Sequence, residues 1–380
     1  MNRQELLWTA LREPTAVLGA TPAEWDLLVR QARRARVLGR LAAIWRELGV
    51  WSDIPVAAQA HLESALAVAA KHAGALRWEV HCVRRALAGL DAPVVLLKGA
   101  AYVMAGLPAA RGRLFSDLDL MVPKDRLAAA EQMFLRHGWS HLKVNPYDQR
   151  YYRQWMHELP PLMHDTRRTV VDLHHTILPE TGRLHPEPGR LFQAARPLAE
   201  APFHVLAPTD MLLHSAAHLF QDGDLAGGIR DLTDLDDLLR CFGAQPGFWD
   251  QLVPRARELE LAGPLFYALR FAQRRLGAPV PPPIVAAVSP DGPRQPVRAV
   301  MDVLVTAALE PGVPGKVRMR ESLARWLLYV RSHWLRMPPG LLLAHLFRKA
   351  LRRWHDEEPK AATIDQPALP HAPQAESSLQ

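Results

Sequence analysis

Cysteine is nearly absent: only Cys82 and Cys241 occur among 380 residues, far apart and without paired spacing. That excludes a disulfide framework and a cysteine metal cluster, and it fits a reducing compartment. Long apolar runs are missing too, since no stretch reaches the ~18–20 uninterrupted apolar residues of a membrane-spanning helix. The opening residues, MNRQELLWTALREPT, lack the apolar core and small-residue cleavage site of a secretory leader, so a cytoplasmic location is expected. Lysine is scarce beside arginine, and no internal repeat is present.

What is there suits a globular chain with a sizeable core. Hydrophobic residues make up 49% and charged residues 22%, and the length predicts two or three domains. A formal charge of +7 suggests an anionic partner, but its position matters more than its total. Between positions 290 and 355 there are 12 Lys and Arg against 4 Asp and Glu, so the excess is concentrated near the C-terminus. No strong nucleic-acid signal accompanies it.

The rest of the chain is organised around residues 94–122, VVLLKGAAYVMAGLPAARGRLFSDLDLMV. Residues 94–97 predict a short buried strand, Lys98-Gly99 a turn, and the Ala-rich segment after it a helix. The second apolar run carries Ser116, Asp117 and Asp119. Residues two apart on a strand face the same way, so both carboxylates point to one side and Leu118 and Leu120 to the other. Carboxylates about 7 Å apart along a strand repel unless a cation or proton sits between them. Mg²⁺, which favours carboxylate, water and phosphate oxygens, is the simplest resolution.

Elsewhere the sequence reads as follows. Residues 1–90 predict a helical region, with Thr21-Pro22-Ala23-Glu24 as an N-terminal capping signature. Leu38, Leu41, Trp45 and Leu48 fall at helical spacing, and the interleaved Arg34, Arg36, Arg40 and Arg46 read as a solvated basic face. A further helix spans about 56–90. Pro123-Lys124-Asp125 opens a helix that Gly138 stops. Residues 140–144 and 158–163 alternate as strands do, and 169–177, TVVDLHHTI, predicts another strand with Asp172 in its middle. From 207 the pattern is helical, with His214 and His218 four apart. A helix over 227–242 carries Arg230, Asp231, Asp234, Asp236 and Asp237, and two more helices over 248–276 break near Gly263-Pro264. The proline run 279–283 predicts a semi-rigid linker. Beyond it lies a basic, Trp-containing helical region, and from 357 a tail expected to be disordered. The predicted division is 1–90 helical, 91–200 core, 201–278 helical packing on that core, 279–356 basic helical, and 357–380 tail.

Gly99, Asp117, Asp119 and Asp172 together resemble the nucleotidyltransferase fold of the DNA polymerase β superfamily. Within it, LLKGAAY, the arginine shortly before SDLDLMV, VVDLHH, and the later His-rich and Asp-rich helices are similar to the uncharacterised bacterial nucleotidyltransferase family, over about 90–240. The resemblance implies an α+β fold: a mixed sheet with helices, flanked by N- and C-terminal helical regions. It implies that Asp117 and Asp119 hold two Mg²⁺ ions that bridge the nucleotide phosphates, and that Asp172 completes the second site or acts as base. Lys98, Arg111 and Arg113 would neutralise phosphate, Gly99 would let backbone approach it, and Ser116 would supply a hydroxyl. The wider superfamily has Gly-Ser at the turn, where this chain has Gly99-Ala100.

His174 shares the Asp172 face, as a hydrogen-bonding support or a substrate contact. His214 and His218 lack the glutamate of a zinc helix and are not expected to hold metal. Their helix and the one bearing Arg230, Asp231 and Asp234 are expected to cover the cleft, with His218 contributing. The predicted activity is Mg²⁺-dependent transfer of a nucleoside monophosphate from an NTP, ATP by expectation, to an unknown hydroxyl on a small molecule or protein. The alternatives are a non-catalytic nucleotide-binding partner of toxin–antitoxin type, and an RNA-binding helical protein. Trp326, Trp334 and Trp354 are expected in the core with arginines outward; otherwise 318–354 would meet a membrane surface or an acidic partner.

Overall fold

The structure, a computed structural model, describes residues 4–142, 145–199, 201–221, 225–312 and 318–336. The chain opens with four helices: α1 (Leu6–Arg12), α2 (Pro22–Arg34), α3 (Leu38–Glu47) and α4 (Val56–Ala86). The expected capping box opens α2, with the Glu24 amide donating to Thr21 Oγ1 at 3.3 Å and the Thr21 amide to Glu24 Oε2 at 2.9 Å.

A mixed sheet follows, built from β1 (Val95–Leu96), β2 (Asp117–Met121), β3 (Trp139–His141), β4 (Leu162–His164), β5 (Val170–His174), β6 (Arg196–Leu198) and β7 (Ala201–Val205). Its order is β3-β4-β5-β2-β1-β7-β6. At the centre β2 runs parallel to β5 and antiparallel to β1, and β1 runs parallel to β7. Helices α5 (Lys98–Met104), α6 (Leu127–Arg136), α7 (Pro146–Trp155) and α8 (Pro188–Ala194) join the strands. The rest is helical: α9 (Pro208–Gln221), α10 (Gly228–Gly243), α11 (Phe248–Glu258), α12 (Ala262–Leu276), α13 (Pro282–Val288), α14 (Gln295–Ala308) and α15 (Met319–Arg336). This is an α+β architecture with helical flanks. One contiguous apolar cluster runs through it from Leu6 to Leu328. Among the described residues no helix is long and apolar enough to cross a membrane.

Several expectations change. Leu38, Leu41 and Trp45 are buried, but Leu48 is exposed, because α3 ends at Glu47. Arg40 does not belong to a solvated face: it is 4% exposed and pairs with Asp234 and Asp237 of α10. The strand expected over 140–144 is β3, one residue earlier, with 143 and 144 outside the described residues. Of 158–163, only Glu158 makes a bridge, to His174, before β4 begins at Leu162. The break between α11 and α12 falls at 259–261, so Gly263-Pro264 sits in the first turn of α12, where a proline amide is dispensable. Within the proline run Val280 is buried, and the run leads directly into α13.

Trp326 and Trp334 are 58% and 46% exposed, the reverse of the expected core packing. The inward stripe of α15 consists instead of Glu321, Ala324, Leu328 and Ser332, at helical spacing. Arginines serve that inner side: Arg325 and Arg34 pair with Glu321, and Arg331 donates to the Phe220 carbonyl at 2.9 Å. Trp354 and the tail from 357 lie outside the described residues.

The N-terminal helices reach the sheet through a backbone crossing. Gly112 has φ +59, and a Cβ built there would lie 2.1 Å from Gly39 C and 2.2 Å from Gly39 O. Gly112→Ala therefore forces apart two backbones, with no side chain able to yield. A loss of about 2–4 kcal/mol is expected, measured as a lowered urea midpoint.

Candidate active site

The parallel pairing of β2 with β5 sets Asp119 directly opposite Asp172, and Asp117 opposite Val170. Strand neighbours are about 4.8 Å apart, and the period of two puts Asp117, Asp119, Asp172 and His174 on one face. Leu118, Leu120, Val171 and Leu173 point to the other face and are buried there. The alternation that fills the core thus also gathers the acids.

The groups around Asp119 are strongly polarised. Its Oδ1 accepts from Lys98 Nζ at 3.1 Å and lies 3.1 Å from His174 Nε2. Burial opposes ionisation of Asp119, but Lys98 and the His174 hydrogen bond outweigh it and hold the carboxyl far below its ordinary range. His174 is 1% exposed. Burial disfavours charge on its imidazole too, but the bond to Asp119 and the field of Glu158 raise its pKa. Lys98 reaches Asp119 from the first residue of α5 with a left-handed backbone, φ +42. Gly99, next to it, leaves room for its neighbours, since a Cβ there would lie 2.5 Å from Arg113 Nη1 and 2.8 Å from Phe115 Cδ1. Ser116 Oγ donates to Asp117 Oδ1 at 3.1 Å, at the exposed end of β2.

Opposite the acids, α9 and α10 close a cleft of about 90 Å³. Lys98, Gly99, Tyr102, Arg113, Ser116, Asp117, Asp119, Ser215, His218, Arg230 and Asp231 line it. Arg230 Nε donates to Asp231 Oδ1 at 2.8 Å. Arg113 Nε donates to Asp234 Oδ2 at 2.9 Å, and the guanidinium lies over the Tyr102 and Phe115 rings. Asp234 stands behind the lining and fixes Arg113 in place. Arg111 is not brought to the cleft: it turns to Glu47 and to the Pro108 carbonyl. His214 is buried, and burial followed by the Lys98 charge keeps its pKa well below the usual histidine value.

Sequence reasoning missed Tyr102, Ser215, His157 and Glu158. Tyr102 lies three residues after Gly99 and Ser215 three before His218, so helical spacing from residues already singled out reaches both. Glu158 lies 3.4 Å from His174, but its only sequence signal is a His-Glu pair beside an alternating run.

The residues fit a divalent cation. Asp172 Oδ1 is buried without a hydrogen-bond partner. Burial, and then the charges of Asp119, Glu158 and Asp117, push the Asp172 carboxyl up to about 8. An acid raised in the fold contributes stability that is fully present below its unfolded pKa of about 4 and is lost as pH rises through the folded value. In metal-free protein the contribution of Asp172 to stability should therefore fall from about pH 4 to pH 8. Asp172→Asn should flatten that slope and be the more stable protein at pH 8. Urea midpoints of both proteins across the range check this.

A protein-family model described as uncharacterised nucleotidyltransferase matches residues 21–277. A comparison with curated proteins gave no match. The matched span takes in the acid-bearing strands, the Lys98-Gly99 turn and both helices over the cleft, and the family is one of transferase enzymes: the chain belongs to the uncharacterised nucleotidyltransferase family.

Proposed function

We propose that the chain moves a nucleoside monophosphate from an NTP, ATP foremost, to a hydroxyl on a small molecule or a protein, with Mg²⁺ and release of pyrophosphate. The observation that carries this reading is the Asp119–Asp172 register, which sets a third carboxylate with an unpartnered oxygen beside the first two. Asp117, Asp119 and Asp172 would hold two divalent ions, whose bound state neutralises phosphate charge and stabilises the entering and leaving oxygens. In the transfer, the acceptor oxygen bonds to the α-phosphorus and the bond from that phosphorus to the β-phosphate bridging oxygen breaks. The hydroxyl proton passes to Asp172, ionised once cations offset the neighbouring acids.

Other residues orient the reactants. Lys98 exchanges Asp119 for phosphate oxygens when the nucleotide enters, and Arg230 and Arg113 add positive charge on the opposite wall. Ser116 anchors Asp117. Residues 91–200 act as the catalytic core, with α9 and α10 as its cover.

The test begins with a thermal-shift panel of the four NTPs with Mg²⁺, then follows α-labelled NTP transfer in fractionated cell extract. A raised midpoint and label transferred by the parent, with neither in Asp117→Asn/Asp119→Asn, is the expected result. A midpoint shift without label in any fraction would favour nucleotide binding alone, and equal behaviour of parent and variant would end the proposal.

A further inference from the structure

We propose that His157, Glu158 and His174 form a binding site for a divalent cation of the zinc class, beside the three-acid cradle and chemically distinct from it. Glu158 is joined to His174 by an antiparallel bridge just beyond the edge of β4. His174 Nε2 lies 3.4 Å from Glu158 Oε2. Two ligands on a tetrahedral ion with bonds of about 2.1 Å stand about 3.4 Å apart, so this pair already has the spacing of neighbouring ligands. The His157 ring centroid is 5.2 Å from that of His174, and one donor atom from each of the three residues lies within 4.8 Å of the others.

A second observation points the same way. His157 Nδ1 is buried with no hydrogen-bond partner, and His174, which offers Nε2 to the site, is 1% exposed. Buried ring nitrogens without partners are uncommon and call for an occupant. The donor set decides which. Two imidazoles and one carboxylate suit Zn²⁺ or Co²⁺, whereas Mg²⁺ prefers oxygen ligands in octahedral array. The cradle of Asp117, Asp119 and Asp172 offers oxygen alone. The sites meet at Asp119, whose Oδ1 is 3.1 Å from His174 Nε2, so occupancy at one is felt at the other. The imidazole site does not depend on nucleotidyl transfer, because its ligands come from this chain without any nucleotide.

Titration of the metal-stripped full-length protein with Co²⁺ alone tests it. One equivalent should give visible ligand-field bands, which Zn²⁺ abolishes and millimolar Mg²⁺ leaves in place. His157→Gln and Glu158→Gln should each weaken binding by at least about tenfold, and Asp172→Asn should retain the bands. Circular dichroism of each variant separates lost ligands from lost fold. Absence of bands in the parent overturns the proposal without recourse to any variant. So does a pattern in which Asp172→Asn abolishes binding and Glu158→Gln keeps it, which would assign the ion to the acid cradle.

Discussion

Asp119→Asn should abolish nucleotidyl transfer, lowering kcat by at least about 10³-fold, or about 4 kcal/mol of transition-state stabilisation. The amide is the same size, so Leu118 and Leu120 keep their places in the core. What changes is charge. Asp119 Oδ1 accepts from Lys98 and lies against His174 Nε2, and in the variant both face a neutral amide. The pKa of His174 should then fall, because burial disfavours the charged ring and only the field of Glu158 still supports it. The cradle loses a ligand and Lys98 loses the carboxylate that aims it. Steady-state kinetics with an NTP and an identified acceptor, alongside circular dichroism to establish folding, make the measurement. Activity within tenfold of the parent would show that chemistry does not pass through β2.

Arg40→Met should produce the largest loss of stability, about 3–5 kcal/mol. The guanidinium is 4% exposed and serves four acceptors: the carboxylates of Asp234 and Asp237, the Thr233 carbonyl at 3.2 Å and the Ala109 carbonyl at 3.2 Å. Methionine fills the volume but leaves Asp237, largely covered at 16% exposure, with only the fields of Arg111 and Arg240 to offset its charge. Asp234 retains Arg113, so the damage extends to the cleft through a side chain that never touches it. Arg40→Met/Asp237→Asn should recover part of the loss, since removing both charges costs less than stranding one. Chemical denaturation of the parent and the single and double variants gives the coupling. A loss under about 1 kcal/mol for Arg40→Met would mean that water reaches these carboxylates.

These residues mark the limits of what the sequence discloses. The pairing of Asp117 with Asp119, and of Asp172 with His174, follows from the period of two, a local property any strand imposes. The Lys98-Gly99 turn is local as well. The solvated face expected for Arg40 fails because its acidic partners lie almost two hundred positions away, and no arginine on an amphipathic helix reveals whether an acid from elsewhere will cover it. Arg111 and Arg113 are two residues apart and similar in sequence, yet one meets Glu47 and the other Asp234. Strands β6 and β7 are hard to read because each carries a proline: Pro197 suits the edge strand β6, and Pro202 lies ahead of the His204 and Val205 pairing of β7 with β1. Helix α7 leaves no periodic signal because PYDQRYYRQW carries no aliphatic stripe. Trp326 and Trp334 of α15 face outward against expectation because periodicity identifies a face without saying which side of the helix meets the protein.

The parallel pairing of β5 with β2 also bears on when the enzyme comes into being. On the ribosome, Asp117 and Asp119 emerge some fifty residues before Asp172, and the β7 strand that flanks β1 emerges later still. Long-range parallel pairings form slowly, because the intervening loop must close before any contact rewards it. A nascent chain that already displays Asp117 and Asp119 therefore still lacks the third carboxylate beside them. The acids and their cover are all made only once α10 has emerged at Gly243, with more than a third of the 380 residues still to follow.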